Sequence, residues 1–243
     1  MNRTLLLFKC CLVIALALVW PIDAVKAGSS KTINSSVRFA RCFQDSELSK
    51  SLATLRLQER AELAKVSESL LAKARTSPGC RTQVVQALIS SMAQATDPAA
   101  NHYENYFLWV HGASLLADLK ATEALDLLVA NIDFTDGWSA SISQYNTPAV
   151  VAILRIGASA IPKLQIALRN DPVPHRRQFA ALCVAYIGGG QARKALTSAL
   201  PGETDPCVKK FIEISLQAFD NKAKPNHISS ELNGKWFSAF YCR

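Results

Sequence analysis

Five cysteines lie beyond residue 27: Cys42, Cys80, Cys183, Cys207 and Cys242. Thiols can carry redox chemistry, hold a metal or cross-link the chain. A dithiol redox motif or a structural zinc site calls for paired CxxC spacing, and no such pair occurs. Cross-linking is then the chemistry to expect, and an odd number allows at most two bridges within the chain. Cys42 and Cys80 are the expected pair, because they frame a long helical stretch and neither lies in an apolar repeat face. Cys207 with Cys242 is the competing pair. Cys183 sits among apolar residues and reads as a buried free thiol.

The histidines offer little more. His102 and His111 are nine residues apart, which sets them about 180° apart around a helix, so they cannot share a metal within it. His175 and Cys183 invite a base and nucleophile reading, yet more than two helical turns separate them. HExxH, GxSxG, GxxxxGK[ST] and GxGxxG are all missing. Asp133 and Asp136 lack the remaining ligands of a calcium loop. Gly188-Gly189-Gly190 follows no strand and reads as a turn between helices. The sequence therefore predicts no catalytic residue, no metal and no cofactor.

Recognition chemistry is the better prospect. Tyr103, Tyr106, Phe107 and Val110 recur at core spacing on one helix, which leaves Trp109 pointing elsewhere and expected to be exposed. The segment Asp133 to Thr147 is long, Ser-rich and carries Trp138 and Tyr145. Compact domains seldom carry so long a loop without a use, and Trp and Tyr are frequent interface anchors. Trp138 and Tyr145, with Lys163 and Arg193 nearby on neighbouring helices, form the candidate binding set. The competing expectation is that Trp138 plugs a gap between helices.

The elements that must hold these residues can be read along the chain. Residues 1–27 resemble a secretory leader: Arg3, an apolar run from Cys10 to Trp20, then Val25-Lys26-Ala27. That run falls short of the roughly 20 residues that span a bilayer; a retained N-terminal anchor is the alternative. The chain is accordingly expected to be exported, periplasmic or secreted, with no membrane span once the leader is gone. Losing Arg3, Lys9, Lys26 and Asp23 with the leader brings the net charge from +8 to +6. The cations are scattered, which argues for solvated faces and against a nucleic-acid groove.

Hydrophobic residues make up 49% and charged residues 19%, which excludes a disordered polar chain. Residues 28–45 read as an arm and 46–100 as an N-terminal helical pair. The first helix of that pair is expected over Ser46–Ala74, which contains no Gly or Pro and carries Leu48, Leu52, Leu55, Leu63, Val66 and Leu70. Ser77-Pro78-Gly79 is expected to stop it. Residues 101–219 read as helical repeats and 220–243 as a tail with an aromatic end. No strand-length alternation occurs. The fold class is all-α.

Self-comparison gives the repeat. The segment from Ala185 to Leu196 resembles that from Leu154 to Leu164, with Gly157 and Gly188 31 residues apart, and Asp118 to Leu128 is a fainter copy. Each copy predicts a helix, a glycine turn with positive φ and a second, antiparallel helix. Such pairs bury their apolar faces only by stacking into a solenoid. With Ile161-Pro162-Lys163-Leu164, Asp171-Pro172 before Arg177, and Asp205-Pro206 before Lys209, the pattern resembles the short bacterial HEAT-like repeats first named from phycobilisome lyases. The likeness covers about residues 146–219 well and 101–132 less well. It implies an α-solenoid scaffold whose partner is another protein. It also implies acidic partners such as Asp171 and Asp205 for Arg177 and Lys209. Alternatives are a lyase-type enzyme or accessory subunit, and an envelope binder of anionic glycan.

Overall fold

The computed structural model describes residues 42–57, 60–96, 102–135 and 147–220. Every regular element among them is helical, as the sequence predicts: α1 (Asp45–Thr54), α2 (Arg60–Ala74), α3 (Pro78–Gln94), α4 (His102–Asp118), α5 (Leu125–Ala130), α6 (Pro148–Ile156), α7 (Ile161–Asn170), α8 (Pro174–Ile187), α9 (Gly189–Ala199) and α10 (Pro206–Asp220). Single 3-10 turns at Thr122–Ala124, Ala158–Ala160 and Leu200–Gly202 complete them. Proline opens many of these helices, where its fixed φ suits the first turn and its missing N–H costs nothing. Ser77-Pro78 is one such start. The Ser77 hydroxyl accepts the Cys80 N–H at 3.2 Å with Pro78 at the first position, so the triplet read as a stop signal begins α3.

The expected single helix over Ser46–Ala74 is two helices, and the N-terminal pair is therefore three. Glu47 on α1 and Lys73 on α2 form an ion pair. In one straight helix they would stand ~39 Å apart. The chain folds back after Leu55, which is fully buried, and Arg56 donates to Asn105 on α4 at 2.6 Å. Folding back lets Leu48, Leu55, Leu63 and Leu70 all enter the core. A straight helix would have carried half of that stripe beyond the body it packs on.

Three helix ends pass through positive φ: Lys120 (49°) after α4, Gly157 (85°) after α6 and Gly188 (72°) after α8. Lys120 closes a six-residue C-terminal cap, with Ala121 N–H on the Leu116 carbonyl at 2.9 Å and Lys120 N–H on Ala117 at 3.0 Å. The two glycines combine positive φ with ψ of −144° and −172°, a region that only glycine populates readily. Across Gly157 the helix axis turns by 110°. That is an elbow, not the antiparallel return predicted. Gly157 alone separates α6 from the following 3-10 turn, and one residue is too short a joint for a full reversal. A Cβ at Gly157 would meet nothing within 4 Å, so Gly157→Ala tests the torsion by itself. We expect a loss of about 1–3 kcal/mol in urea unfolding, and an unchanged midpoint would show that the turn relaxes.

Packing follows a regular order. α4 lies on α6, α6 on α8 and α8 on α10, while α5 lies on α7 and α7 on α9; α2 and α3 cover the other side of α4. The core runs through all of them, from Phe43 and Leu88 through Leu116, Ile153 and Phe179 to Phe211. No single described helix is long and apolar enough to cross a membrane.

Candidate functional site

Of the four candidate binding residues, Trp138 and Tyr145 lie outside the described residues, as do the leader, most of the arm and the tail. Lys163 and Arg193 are each taken up by a carboxylate. The Lys163 ammonium on α7 sits 2.6 Å from Asp126 on α5, and Arg193 on α9 pairs with Asp220 at the end of α10. Both pairs are solvent-exposed and contribute up to ~1 kcal/mol each. Their role in the structure is to tie one helix to the next. Arg155 on α6 does the same with Asp118 and Ser114 on α4, and Arg81 on α3 grips Glu123 with two N–H groups while donating to the Leu119 carbonyl at 3.2 Å. Those hydrogen bonds hold the Arg81 pKa above and the Glu123 pKa below their ordinary values.

The α4 aromatics are arranged opposite to expectation. Trp109 is fully buried and stacks on Phe134 at 5.0 Å, whereas Tyr103 is 54% exposed and Tyr106, Phe107 and Val110 are half-buried. Both stripes have helical spacing, so periodicity could not choose between them. Gly112 does. A Cβ there would stand 2.7 Å from the Met92 sulfur, so α3 approaches closest on the Gly112 side and draws Leu108, Trp109 and Leu116 inward. The outer stripe is a chain of ring contacts: Tyr103 to Phe107 at 4.7 Å, Tyr106 to Phe107 at 6.0 Å and Phe107 to His111 at 6.1 Å. Burial holds His111 below its usual pKa, so the stripe is neutral around pH 7. It is a surface suited to apolar and aromatic groups.

Cys42 and Cys80 are joined as a disulfide with their Cα atoms 5.3 Å apart. It anchors Phe43, which is buried with the Lys73 ammonium 4.3 Å above its ring. Cys183 is fully enclosed, and desolvation pushes its thiol pKa far up, the reverse of what a nucleophile needs. His175 lies edge-on to Phe179 at 4.8 Å, its pKa lowered by burial against the opposing charge of Asp133.

A cleft of about 320 Å³ opens between α7, α8 and the turn after α9, lined by Arg169, Arg177, Ser198, Glu203 and Thr204 among others. Its polar floor is the Arg177–Glu203 pair, joined by two hydrogen bonds of 2.8 and 2.7 Å. The expected carboxylate partner, Asp171, contributes only its backbone carbonyl, at 2.9 Å. Its side chain instead accepts the Val173 N–H, and that of Asp205 caps α10 through the Cys207 and Val208 N–H groups. Short acidic side chains near a helix start satisfy the local orphan N–H groups first, leaving the longer Glu203 to reach the guanidinium. With both carboxylate oxygens engaged, the pair braces the cleft and presents no reactive group. Among the described residues, no three His, Cys, Asp or Glu side chains gather as a metal ion would require.

Comparison with protein-family models, with curated proteins and with solved structures yields no match.

Proposed function

We propose that this chain is an exported, HEAT-like helical-repeat scaffold that binds another protein. The observation that carries the reading is the order of packing: α4, α6, α8 and α10 follow one another in one row and α5, α7 and α9 in a second. Two stacked rows are what a solenoid requires. The positive-φ ends at Lys120, Gly157 and Gly188 recur at matching points of three successive units. The ion pairs Asp118–Arg155 and Asp126–Lys163 join the first two of those units with the same separation of 37 residues. A stack of this kind presents extended surface, and the α4 stripe with Tyr103 and Phe107 supplies aromatic anchors of the sort that dominate interfaces.

The test is quantitative. Capture of one defined partner by the full-length chain should weaken roughly 30-fold or more, about 2 kcal/mol, in Trp138→Ala, with the unfolding midpoint nearly unchanged. Tyr103→Ala should act in the same sense. A large loss of stability in Trp138→Ala with binding intact would make Trp138 a packing residue and remove it from the interface.

A further inference from the structure

We propose that the outer stripe of α4 is a self-association surface, on which the α4 of a second copy of this chain lies antiparallel across a two-fold axis. This names the occupant of the stripe and rests on the reading of it as an interface. Tyr103, Glu104, Phe107, His111, Ser114 and Asp118 fall within about 100° around the helix. All six are exposed or half-buried, whereas Leu108, Trp109, Gly112 and Leu116 turn to the core.

The charges that end the stripe argue for a second copy. Glu104 is exposed at one end, and among the described residues no cation pairs with it. At the other end Arg155 on α6 reaches over α4, donating to Ser114 at 2.8 Å and pairing with Asp118. Its side chain is 41% exposed, and those contacts leave several of its N–H donors unused. The midpoint of Glu104 and Ser114 is residue 109, and the midpoint of Phe107 and His111 is the same. A two-fold axis crossing α4 at that level therefore sets Glu104 against the partner's Ser114 and Arg155, and Phe107 against the partner's His111.

Sliding the copies by one turn loses this match. In one direction Glu104 comes opposite Val110, and in the other it meets the Asp118 carboxylate. The charges thus select a single register. Opposed aromatic rings fill its centre, as they do at the centre of protein interfaces. A stripe on one helix buries less than the ~1,600 Å² of a standard interface, so the dissociation constant should be on the order of 10–100 μM.

Sedimentation equilibrium of the purified full chain up to about 500 μM should show monomer and dimer in exchange. Glu104→Arg and Arg155→Glu should each weaken association by about tenfold or more, because like charges then meet twice across the axis. Mixed in equal amounts, the two variants should associate again, since opposite charges meet at both ends. Phe107→Glu should abolish association, and all three should keep their helical circular dichroism. A wild type that stays monomeric overturns the proposal, as does association unchanged in Glu104→Arg or Phe107→Glu, or a mixture of folded variants that does not recover. A monomeric wild type that still loses a different, defined partner in Tyr103→Ala would overturn self-association alone and leave the binding reading standing.

Discussion

Replacing Cys42 and Cys80 together by serine should cost about 4 kcal/mol in equilibrium unfolding. The bridge spans a sequence separation of 38 residues. Loop-closure entropy for that length falls between the ~3 kcal/mol of a 15-residue loop and the ~4.7 kcal/mol of a 100-residue one. The stabilisation resides in the unfolded chain, which the bridge keeps compact. The double variant should therefore show a steeper denaturant dependence as well as a lower midpoint, because its unfolded state exposes more surface. Reduced wild type should coincide with the variant. A difference below ~1 kcal/mol between oxidised wild type and variant would mean that the contacts of Phe43 and the Glu47–Lys73 ion pair hold α1 in place without the bridge.

The same bridge shows what the sequence contained and what its reading missed. A helix over Ser46–Ala74 would be ~43 Å long. The residues between its ends and the two cysteines could span only ~35 Å. A Cys42–Cys80 bond and an unbroken helix therefore exclude each other. Nothing in the spacing marks the break: Leu48 to Val66 is 18 residues, five whole turns, so the stripe runs on in register past it. Two helices folded back on each other satisfy both the bond and the stripe. Helical class and the glycine turns were legible because periodicity and positive-φ demands are local. The burial of Trp109 was not, since two stripes of equal spacing ran along α4. The deciding feature, the close approach of Met92 to Gly112, is tertiary. Arg177 was rightly expected to be ion-paired, but its partner lay in a later turn, chosen by side-chain length and not by proximity in sequence.

That last pair should have the largest polar effect in the molecule. The Arg177 and Glu203 side chains are 11% and 3% exposed but line an open cleft, so Arg177→Met leaves a part-buried carboxylate without its cation at an expected cost of about 1–3 kcal/mol, less than a fully enclosed pair would lose. Removing both charges, with Arg177→Met and Glu203→Leu combined, should recover much of that loss, because the desolvation cost of each ion goes with it. The pH dependence gives an independent check. Burial by itself pushes the Glu203 pKa up, but hydrogen bonds from Arg177 and from the Asp205 and Thr204 N–H groups outweigh it and hold the pKa below the ordinary 4.5. A carboxyl with a depressed folded pKa contributes stability that is complete above its unfolded pKa and lost as pH falls through the folded value. In Arg177→Met only the Asp205 and Thr204 N–H groups still oppose burial, so the Glu203 pKa rises from its wild-type position. The deficit of the single variant should then be full near neutral pH and shrink as the pH falls below the ordinary carboxylate range, Glu203 taking up its proton first in the variant and only at lower pH in the wild type. Arg177, whose pKa is raised by the same hydrogen bonds, adds nothing to this window, because it stays charged throughout. Urea unfolding of wild type, single and double variants at several pH values between 3 and 7 measures all of this. A deficit independent of pH would assign the loss to packing of the arginine stem, and not to the charge it carries.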